Sequence, residues 1–259
     1  MGEGRNPGGA VVSEGAIRDR LRGLGDPEAA ALAARYFKTG PGQYGEGDVF
    51  LGIRVPVLRG LAREYRDAPR PVLLSLLRSP VHEDRLLALL ILVGQFQRGG
   101  EAARRRIYDL YLANTRFINN WDLVDTSARD IVGAFLATRD RAPLDALAGS
   151  ESLWERRIAI IATFHFIRAG QVADTLRIAE VLLGDPEDLI HKAVGWMLRE
   201  VGKRDATALA GFLRAHHRTM PRTMLRYAIE RLPEAERRAF LEGMPASPTG
   251  GRSPGESRR

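Results

Sequence analysis

Apolar residues recur along most of the chain at the spacing of helical turns. Between Gly and Pro residues, stretches of about 10 to 18 residues carry this spacing. Alternating apolar and polar positions with β-branched runs, which are typical of strands, are scarce. The pattern predicts an all-α protein.

Five of the helical segments look alike when they are aligned. They are HEDRLLALLILVGQF, WDLVDTSARDIVGAFL, LWERRIAIIATFHFI, LIHKAVGWMLREVGK and TMLRYAIERL. Each has one polar residue near its start, which we call its anchor: Arg85, Asp125, Arg157, Lys192 and Arg226, at steps of 40, 32, 35 and 34 residues. An alanine follows each anchor within three positions, at Ala88, Ala128, Ala159, Ala193 and Ala228. These small residues predict close helix packing at a repeated site.

Further apolar segments lie between the five, such as RRRIYDLYLANT, QVADTLRIAEVLLG and DATALAGFLRAHH. Two helices per repeat of this length are typical of HEAT-like and armadillo-type proteins. We therefore expect an α-solenoid of antiparallel helix pairs over residues 16–245, in which one helix of each pair lines a concave groove. Residues 1–15 and 246–259 lack apolar periodicity and are rich in Gly, Ser, Pro or Arg, which predicts disorder at both ends.

The formal charge of +7 and the sequence pI of about 10.2 favour a polyanionic partner. Lysine occurs only at positions 38, 192 and 203, so arginine supplies most of this charge, which a codon bias toward arginine would also produce. Four anchors are basic, and they predict a row of DNA-binding cations along a basic groove: Arg85, Arg157, Lys192 and Arg226. The alternative is that these side chains pair with acids on adjacent helices.

Several classes of protein are excluded on composition. No stretch approaches the roughly 18 uninterrupted apolar residues of a membrane span, and the start of the chain lacks the pattern of a secretory signal. We therefore expect a cytoplasmic protein. The chain has no cysteine, and its five histidines show no metal-ligand spacing, so we expect neither a metal nor another cofactor.

The acidic anchor lies close to an aromatic residue. Asp125 follows Trp121 by four positions, which places both on one helix face, and Trp196 follows Lys192 by the same interval. Tryptophan rings attract cations and stack on sugars and bases, although a helical tryptophan is also common in an ordinary core. Trp154 precedes its anchor and is predicted to pack in the interior. A single carboxylate among cations and rings suits the stabilisation of a developing cation better than two-group acid–base hydrolysis.

These segments resemble a known family. The stretches FLGIRVPVLRGLAREY, NNWDLVDTSA, LWERRIAI, IHKAVGWMLREVGKRD and MPRTMLRYAIERL are similar to the AlkD-like DNA alkylation repair proteins, which are bacterial HEAT-like repeat DNA glycosylases. The resemblance spans about residues 26 to 241 and rests on WDxVD, WxxR and KAxGWxLRE. It implies excision of cationic N3- and N7-alkylated purines from duplex DNA, by a monomer, without flipping the base into a pocket.

The resemblance also implies roles for individual residues. Trp121 and Trp196 would flank the deoxyribose of the lesion, Asp125 would stabilise the oxocarbenium ion and position water, and Arg157 would hold the DNA backbone nearby. The chain departs from the best-characterised members at Asn120, where they have a further aromatic residue, and in the segment GPGQYGEGD at 40–48, which they lack. We interpret this segment as a flexible connector, because it contains no phosphate-binding motif.

Two other functions remain open on the sequence. Relatives with this fold include proteins that bind damaged or branched DNA without excising bases, so a non-catalytic DNA-binding protein is the first alternative. A protein-interaction solenoid, whose basic face binds an acidic partner protein, is the second. Fold alone does not decide between them.

Overall fold

The computed structural model describes residues 13–243, and every regular element in this part of the chain is helical. The helices are α1 (Glu14–Arg22), α2 (Pro27–Tyr36), α3 (Val55–Glu64), α4 (Arg70–Leu77), α5 (His82–Arg98), α6 (Glu101–Leu112), α7 (Trp121–Ala128), α8 (Ala134–Leu136), α9 (Ala142–Ala148), α10 (Leu153–Ala162), α11 (Phe164–Arg168), α12 (Ala173–Val181), α13 (Asp188–Gly202), α14 (Ala206–His216), α15 (Arg222–Ala228) and α16 (Glu234–Leu241). A 3₁₀ turn (Thr115–Phe117) precedes α7, and a π-helical segment (Arg129–Gly133) joins α7 to α8. The all-α prediction is confirmed.

The helices that carry the anchors form the inner row of the solenoid. In chain order α5 contacts α7, α7 contacts α10, α10 contacts α13, and α13 contacts α15. The intervening helices pack beside them: α4 on α5, α6 on the π-helical segment, α9 on α10 and α12 on α13. This arrangement confirms the predicted solenoid of helix pairs. Within residues 13–243, no helix has both the length and the apolar character needed to cross a bilayer.

Small residues lie where the inner helices approach one another, as predicted. The alanines that follow the anchors are all buried, with at most 1% of their surface exposed: Ala88, Ala128, Ala159, Ala193 and Ala228. Two glycines mark closer approaches. A Cβ atom at Gly133 would collide with the carbonyl oxygen of Ala162, and one at Gly195 would lie 2.5 Å from the carbonyl oxygen of Met224.

The first turn of α5 is polar and yet buried. The Glu83 carboxylate accepts hydrogen bonds of 2.8 to 3.2 Å from the backbone N–H groups of residues 51–53. The neighbouring Asp84 pairs with Arg18 of α1 at 2.9 Å. Because buried carboxylates are tolerated only when they are paired, these contacts fix α1 and the segment before α3 against α5.

The helical domain begins slightly earlier than predicted. The Ser13 hydroxyl accepts a hydrogen bond from the backbone N–H of Ala16 at 3.2 Å, and α1 therefore begins at Glu14, two residues before the predicted boundary at 16. Serine is a preferred N-cap for this reason. The remainder of the two predicted disordered ends, residues 1–12 and 246–259, lies outside the described residues.

Candidate nucleic-acid interface

A cleft of about 390 Å³ lies along the inner helices. Its lining residues, all within the described part of the chain, include four basic and five aromatic side chains and no carboxylate. They are Tyr36, Lys38, Tyr44, Trp121, Arg157, Leu189, Lys192, Trp196, Arg199 and Tyr227. Three of the four basic residues are paired with carboxylates outside this lining, Arg157, Lys192 and Arg199, so the basic character of the groove stays a prediction.

Asp125 is not part of the cleft lining, but it pairs with Arg157, which is part of it and lies 32 residues further along the chain. The Arg157 Nε donates to Asp125 Oδ1 at 2.9 Å, and Nη2 donates to Oδ2 at 2.8 Å. The third nitrogen, Nη1, donates to the carbonyl oxygen of Leu189 at 2.5 Å. The Asp125 side chain keeps 17% of its surface exposed, against 6% for Arg157. The carboxylate is thus fixed at both oxygens, and part of the side chain stays exposed.

Two opposing effects act on the protonation of Asp125. Burial raises the pKa of its carboxyl above the usual value, and the positive charge and hydrogen bonds of Arg157 lower it without cancelling the rise. The nearby Asp122 adds a smaller increase. Arg157 therefore favours the ionised form of Asp125.

The basic anchors do not form the row of DNA-binding cations that their spacing predicted. Arg85 is only 4% exposed, and its Nη2 and Nη1 each lie 2.6 Å from a protein oxygen, on Asp48 and Asn119 respectively. The prediction that Arg85 binds DNA is wrong, because its guanidinium is buried and engaged. Arg157 does line the cleft, but its nitrogens point to Asp125 and Leu189, so the geometry does not support a phosphate contact as its first role.

Lys192 and Arg226 remain predicted DNA contacts. Lys192 lines the cleft with 42% of its side chain exposed, although its Nζ pairs with Asp188 at 2.7 Å one helical turn earlier. Arg226 is exposed but is not part of the lining, which its neighbour Tyr227 joins instead. All three of Arg85, Arg157 and Lys192 are paired with acids. Only Arg157 pairs with an acid on an adjacent helix, which is the alternative considered for the anchors, because Asp48 lies in a loop and Asp188 lies on the same helix as Lys192.

The structure brings Trp121 and Trp196 to the same cleft. Trp121 stacks on Phe37, with ring centroids 5.2 Å apart and planes at 18°, and Trp196 donates its Nε1 hydrogen to Glu200 at 3.3 Å. These contacts fix both rings while leaving part of each exposed to the cleft. Trp154 packs against the core, as predicted.

Several lining residues were not predicted from the sequence. Tyr36 ends α2, while Lys38 and Tyr44 belong to the connection between α2 and α3. The glycines around Tyr44 were the one signal for this connection, and they had indicated a flexible connector. By contrast, two lining residues could have been found from the sequence. Tyr227 directly follows the anchor Arg226, and Arg199 lies about one helical turn after Trp196.

Comparison with known proteins gives a family match and a similar solved structure. The family described as DNA alkylation repair enzyme matches residues 17–232. A solved structure, described as a predicted DNA alkylation repair enzyme from Enterococcus faecalis, shares the fold with a TM-score of 0.63 at 19% identity, over 82% of this chain and 98% of that one. No curated protein matches the chain. Because the family match covers most of the sequence, the chain belongs to the DNA alkylation repair enzyme family, which supports a role in the repair of alkylated DNA.

Proposed function

We propose that the protein is a DNA glycosylase that hydrolyses the N-glycosidic bond of cationic N3- and N7-alkylated purines in duplex DNA. It would act as a cytoplasmic monomer without a cofactor. One observation carries the proposal: Arg157, which lines an aromatic cleft, orients the Asp125 carboxylate at both oxygens, and the Asp125 side chain stays partly exposed. The family assignment supplies the damaged DNA as substrate.

The chemistry follows from the charge of the substrate. An N3- or N7-alkylated purine is already cationic, so it leaves as a neutral base when the C1′–N9 bond breaks and its electron pair moves to N9. No general acid is needed, which fits a cleft lining without a carboxylate. The deoxyribose becomes positively charged at that moment, and an ionised Asp125 stabilises this charge. Water then bonds to C1′ and gives a proton to the carboxylate or solvent, leaving an abasic site.

The remaining cleft residues would hold the DNA around that site. Trp121 and Trp196 offer aromatic faces to the positively charged sugar, and Lys38 and Lys192 offer ammonium groups to phosphates. Each of these contacts is made to the sugar–phosphate backbone. We therefore propose that excision proceeds without flipping the base into a pocket, unlike the usual strategy of glycosylases.

The charge requirement gives a direct test. Two duplexes of one sequence are incubated with the protein, one containing N7-methylguanine and the other containing 7-methyl-7-deazaguanine, a neutral base of the same shape. We expect base release from the first duplex only. No release of N7-methylguanine above its spontaneous rate would refute the glycosylase, and release from both duplexes would refute the role of substrate charge.

Direct binding measurements separate the other two functions. A DNA-binding protein without catalysis would bind the N7-methylguanine duplex and release nothing. A protein-interaction solenoid would not bind duplex DNA even at low salt, where phosphate contacts are strongest.

A further inference from the structure

The connection between α2 and α3 forms one wall of the cleft. We call residues 38–48 the Tyr44 loop. Tyr44 lines the cleft and meets Trp154 of α10 edge-on, with ring centroids 6.1 Å apart. The Nζ of Lys38 lies 5.9 Å from the centre of the Tyr44 ring and also lines the cleft. The loop therefore reaches from the N-terminal helices to the middle of the solenoid.

The backbone of the Tyr44 loop is closed on itself. Lys38 has a left-handed φ of 54°, and its carbonyl oxygen accepts a hydrogen bond from the N–H of Gly45 at 3.1 Å. A Cβ atom at Gly45 would collide with the carbonyl oxygen of Phe37, so only glycine fits at this closure. A second bond joins the N–H of Gly42 to the Glu46 carboxylate at 2.8 Å. The prediction of a flexible connector is wrong, because these glycines allow the segment to form a hydrogen-bonded loop.

A buried bridge holds the end of this loop. Asp48 Oδ2 lies 3.1 Å from His82 Nδ1, and His82 Nε2 lies 2.8 Å from Asp122 Oδ2 on α7. The side chains of Asp48 and His82 are only 5% and 2% exposed, and Arg85 is the other charged group that pairs with Asp48. Burial opposes a charge on His82, but its hydrogen bonds to Asp122 and Asp48 prevail and raise its pKa. A buried charged group is costly to leave without its partner. The contacts of Asp48 and Asp122 with His82 therefore hold the loop against α5 and α7.

The same bridge reaches the ring stack beneath Trp121. His82 stacks on Phe50 at 4.5 Å, Phe50 stacks on Phe37 at 5.0 Å, and Phe37 stacks on Trp121 at 5.2 Å. Stacked rings at these separations are well packed. His82 thus contacts both the end of the Tyr44 loop and the ring stack that leads to Trp121.

We infer that the Tyr44 loop is a substrate-binding wall, in which Tyr44 contacts the deoxyribose of the damaged nucleotide and Lys38 contacts the adjacent phosphate. His82 is a positioning residue, which acts on substrate through Asp48 and the loop. The identity of the nucleotide rests on the proposed function, but the contact itself requires only damaged DNA in the cleft. The loop adds an aromatic face opposite α13, where Trp196 lies.

The contact is tested by binding rather than by excision. Dissociation constants are measured for an undamaged duplex and for one containing a tetrahydrofuran abasic-site analogue, with Tyr44→Leu and Tyr44→Phe. We expect Tyr44→Leu to weaken binding to the analogue about tenfold, as for loss of one aromatic stacking contact, and to change binding to undamaged DNA less than twofold. Tyr44→Phe keeps the ring and should bind like the wild type. Equal binding of wild type and Tyr44→Leu to the analogue would overturn the contact.

Because the analogue has no base to release, this result can be read even if the protein is not a glycosylase. If the wild type does not excise N7-methylguanine but Tyr44→Leu still weakens binding to the analogue tenfold, the proposed function is refuted and the Tyr44 contact is supported. If the wild type excises N7-methylguanine and Tyr44→Leu binds the analogue as tightly as the wild type does, the proposed function is supported and the Tyr44 contact is refuted.

The positioning role of the bridge is tested with two carboxylates of the same segment. Asp48→Ala removes the contacts of the loop with both His82 and Arg85, whereas Glu46→Ala removes only a bond within the loop. We expect Asp48→Ala to increase acrylamide quenching of tryptophan fluorescence, because Tyr44 no longer covers Trp154, and to reproduce the binding loss of Tyr44→Leu. Glu46→Ala should do neither, and Asp48→Asn, which keeps an acceptor toward His82, should restore both properties.

A folded Asp48→Ala variant with unchanged quenching and binding would overturn the positioning role. Circular dichroism establishes folding. If Asp48→Ala does not fold, His82→Asn replaces it in the same comparison, with the same expected and contrary outcomes.

Discussion

The bidentate pair between Asp125 and Arg157 sets the chemistry available at the cleft. Two parallel N–H···O bonds of 2.9 and 2.8 Å fix the plane of the carboxylate, which a single lysine contact would not do. The guanidinium also offsets part of the cost of burying a negative charge. A preorganised charge of this kind stabilises a cationic transition state without reorganising during the reaction.

The pair predicts a specific pH dependence. Burial raises the pKa of Asp125, and the protonated carboxyl cannot stabilise a cation, so excision should decline as the pH falls through this raised pKa. Arg157→Gln removes the group that lowers the pKa, so the acid limb of the single-turnover pH–rate profile should move to higher pH. Arg156→Gln is the control, since Arg156 forms a similar pair with Asp185 at 2.6 Å but does not line the cleft. An acid limb that stays in place in Arg157→Gln would contradict the coupling.

Helices α13 and α15 pack against each other, and both contribute residues to the cleft lining. Gly195 precedes Trp196, and the space that a side chain would need is filled by the Met224 carbonyl oxygen and the Cβ of Tyr227, each 2.5 Å from where a Cβ atom of residue 195 would lie. Since interiors have little room to adjust, this approach couples the spacing of the two helices to the positions of Trp196 and Tyr227, which both line the cleft.

Gly195→Ala should therefore destabilise the protein by about 1 to 3 kcal/mol through overpacking. The matched control is Gly211→Ala in α14, where only the end of the Arg214 side chain lies within 4 Å. That variant should be neutral or more stable by about 0.5 to 1 kcal/mol, because alanine favours the helix. Urea denaturation measures both free energies of unfolding. Equal effects in the two variants would show that the close approach does not matter.

Helices were predictable from the sequence where they depend on local periodicity. The segments that begin near His82, Trp121, Leu153 and Leu189 all form inner helices, and their alanines are buried. The folded Tyr44 loop and the π-helical segment Arg129–Gly133 were not predictable in this way. Their conformations depend on contacts with distant parts of the chain, such as Asp48 with His82, and Gly133 with Ala162.

Over the whole molecule, most cations of the cleft lining are paired with carboxylates that are not part of it: Arg157 with Asp125, Lys192 with Asp188 and Arg199 with Glu230. Sequence spacing indicated which residues share the inner helices, and the family resemblance indicated Trp121, Asp125 and Trp196. Neither the spacing nor the resemblance could indicate which cations are accessible. That depends on acids from other helices or loops, as the pairing of Arg85 with Asp48 shows.

Two lysines, one on α13 and one directly after it, test whether the cleft is the DNA-binding surface. Lys192 lines it, whereas Lys203 follows the end of the helix, and each is paired with one carboxylate and is 42% or 46% exposed. For DNA binding, log K should fall with log salt at a slope of about −0.9 per phosphate contacted. Lys192→Gln should reduce the magnitude of this slope by about one, and Lys203→Gln should leave it unchanged. Similar slopes for the two variants would place the DNA elsewhere.

The catalytic role of Asp125 is the central claim, and a comparison of two aspartates tests it most directly. The single-turnover rate of N7-methylguanine release is measured for the wild type, Asp125→Asn and Asp130→Asn, with protein in excess. Asp130 is paired with Arg129 and has an exposure of 19%, close to the 17% of Asp125. We predict a rate lower by about 100-fold or more for Asp125→Asn, as for loss of one preorganised electrostatic group, and an unchanged rate for Asp130→Asn. An Asp125→Asn variant that releases the base as fast as the wild type would contradict the account.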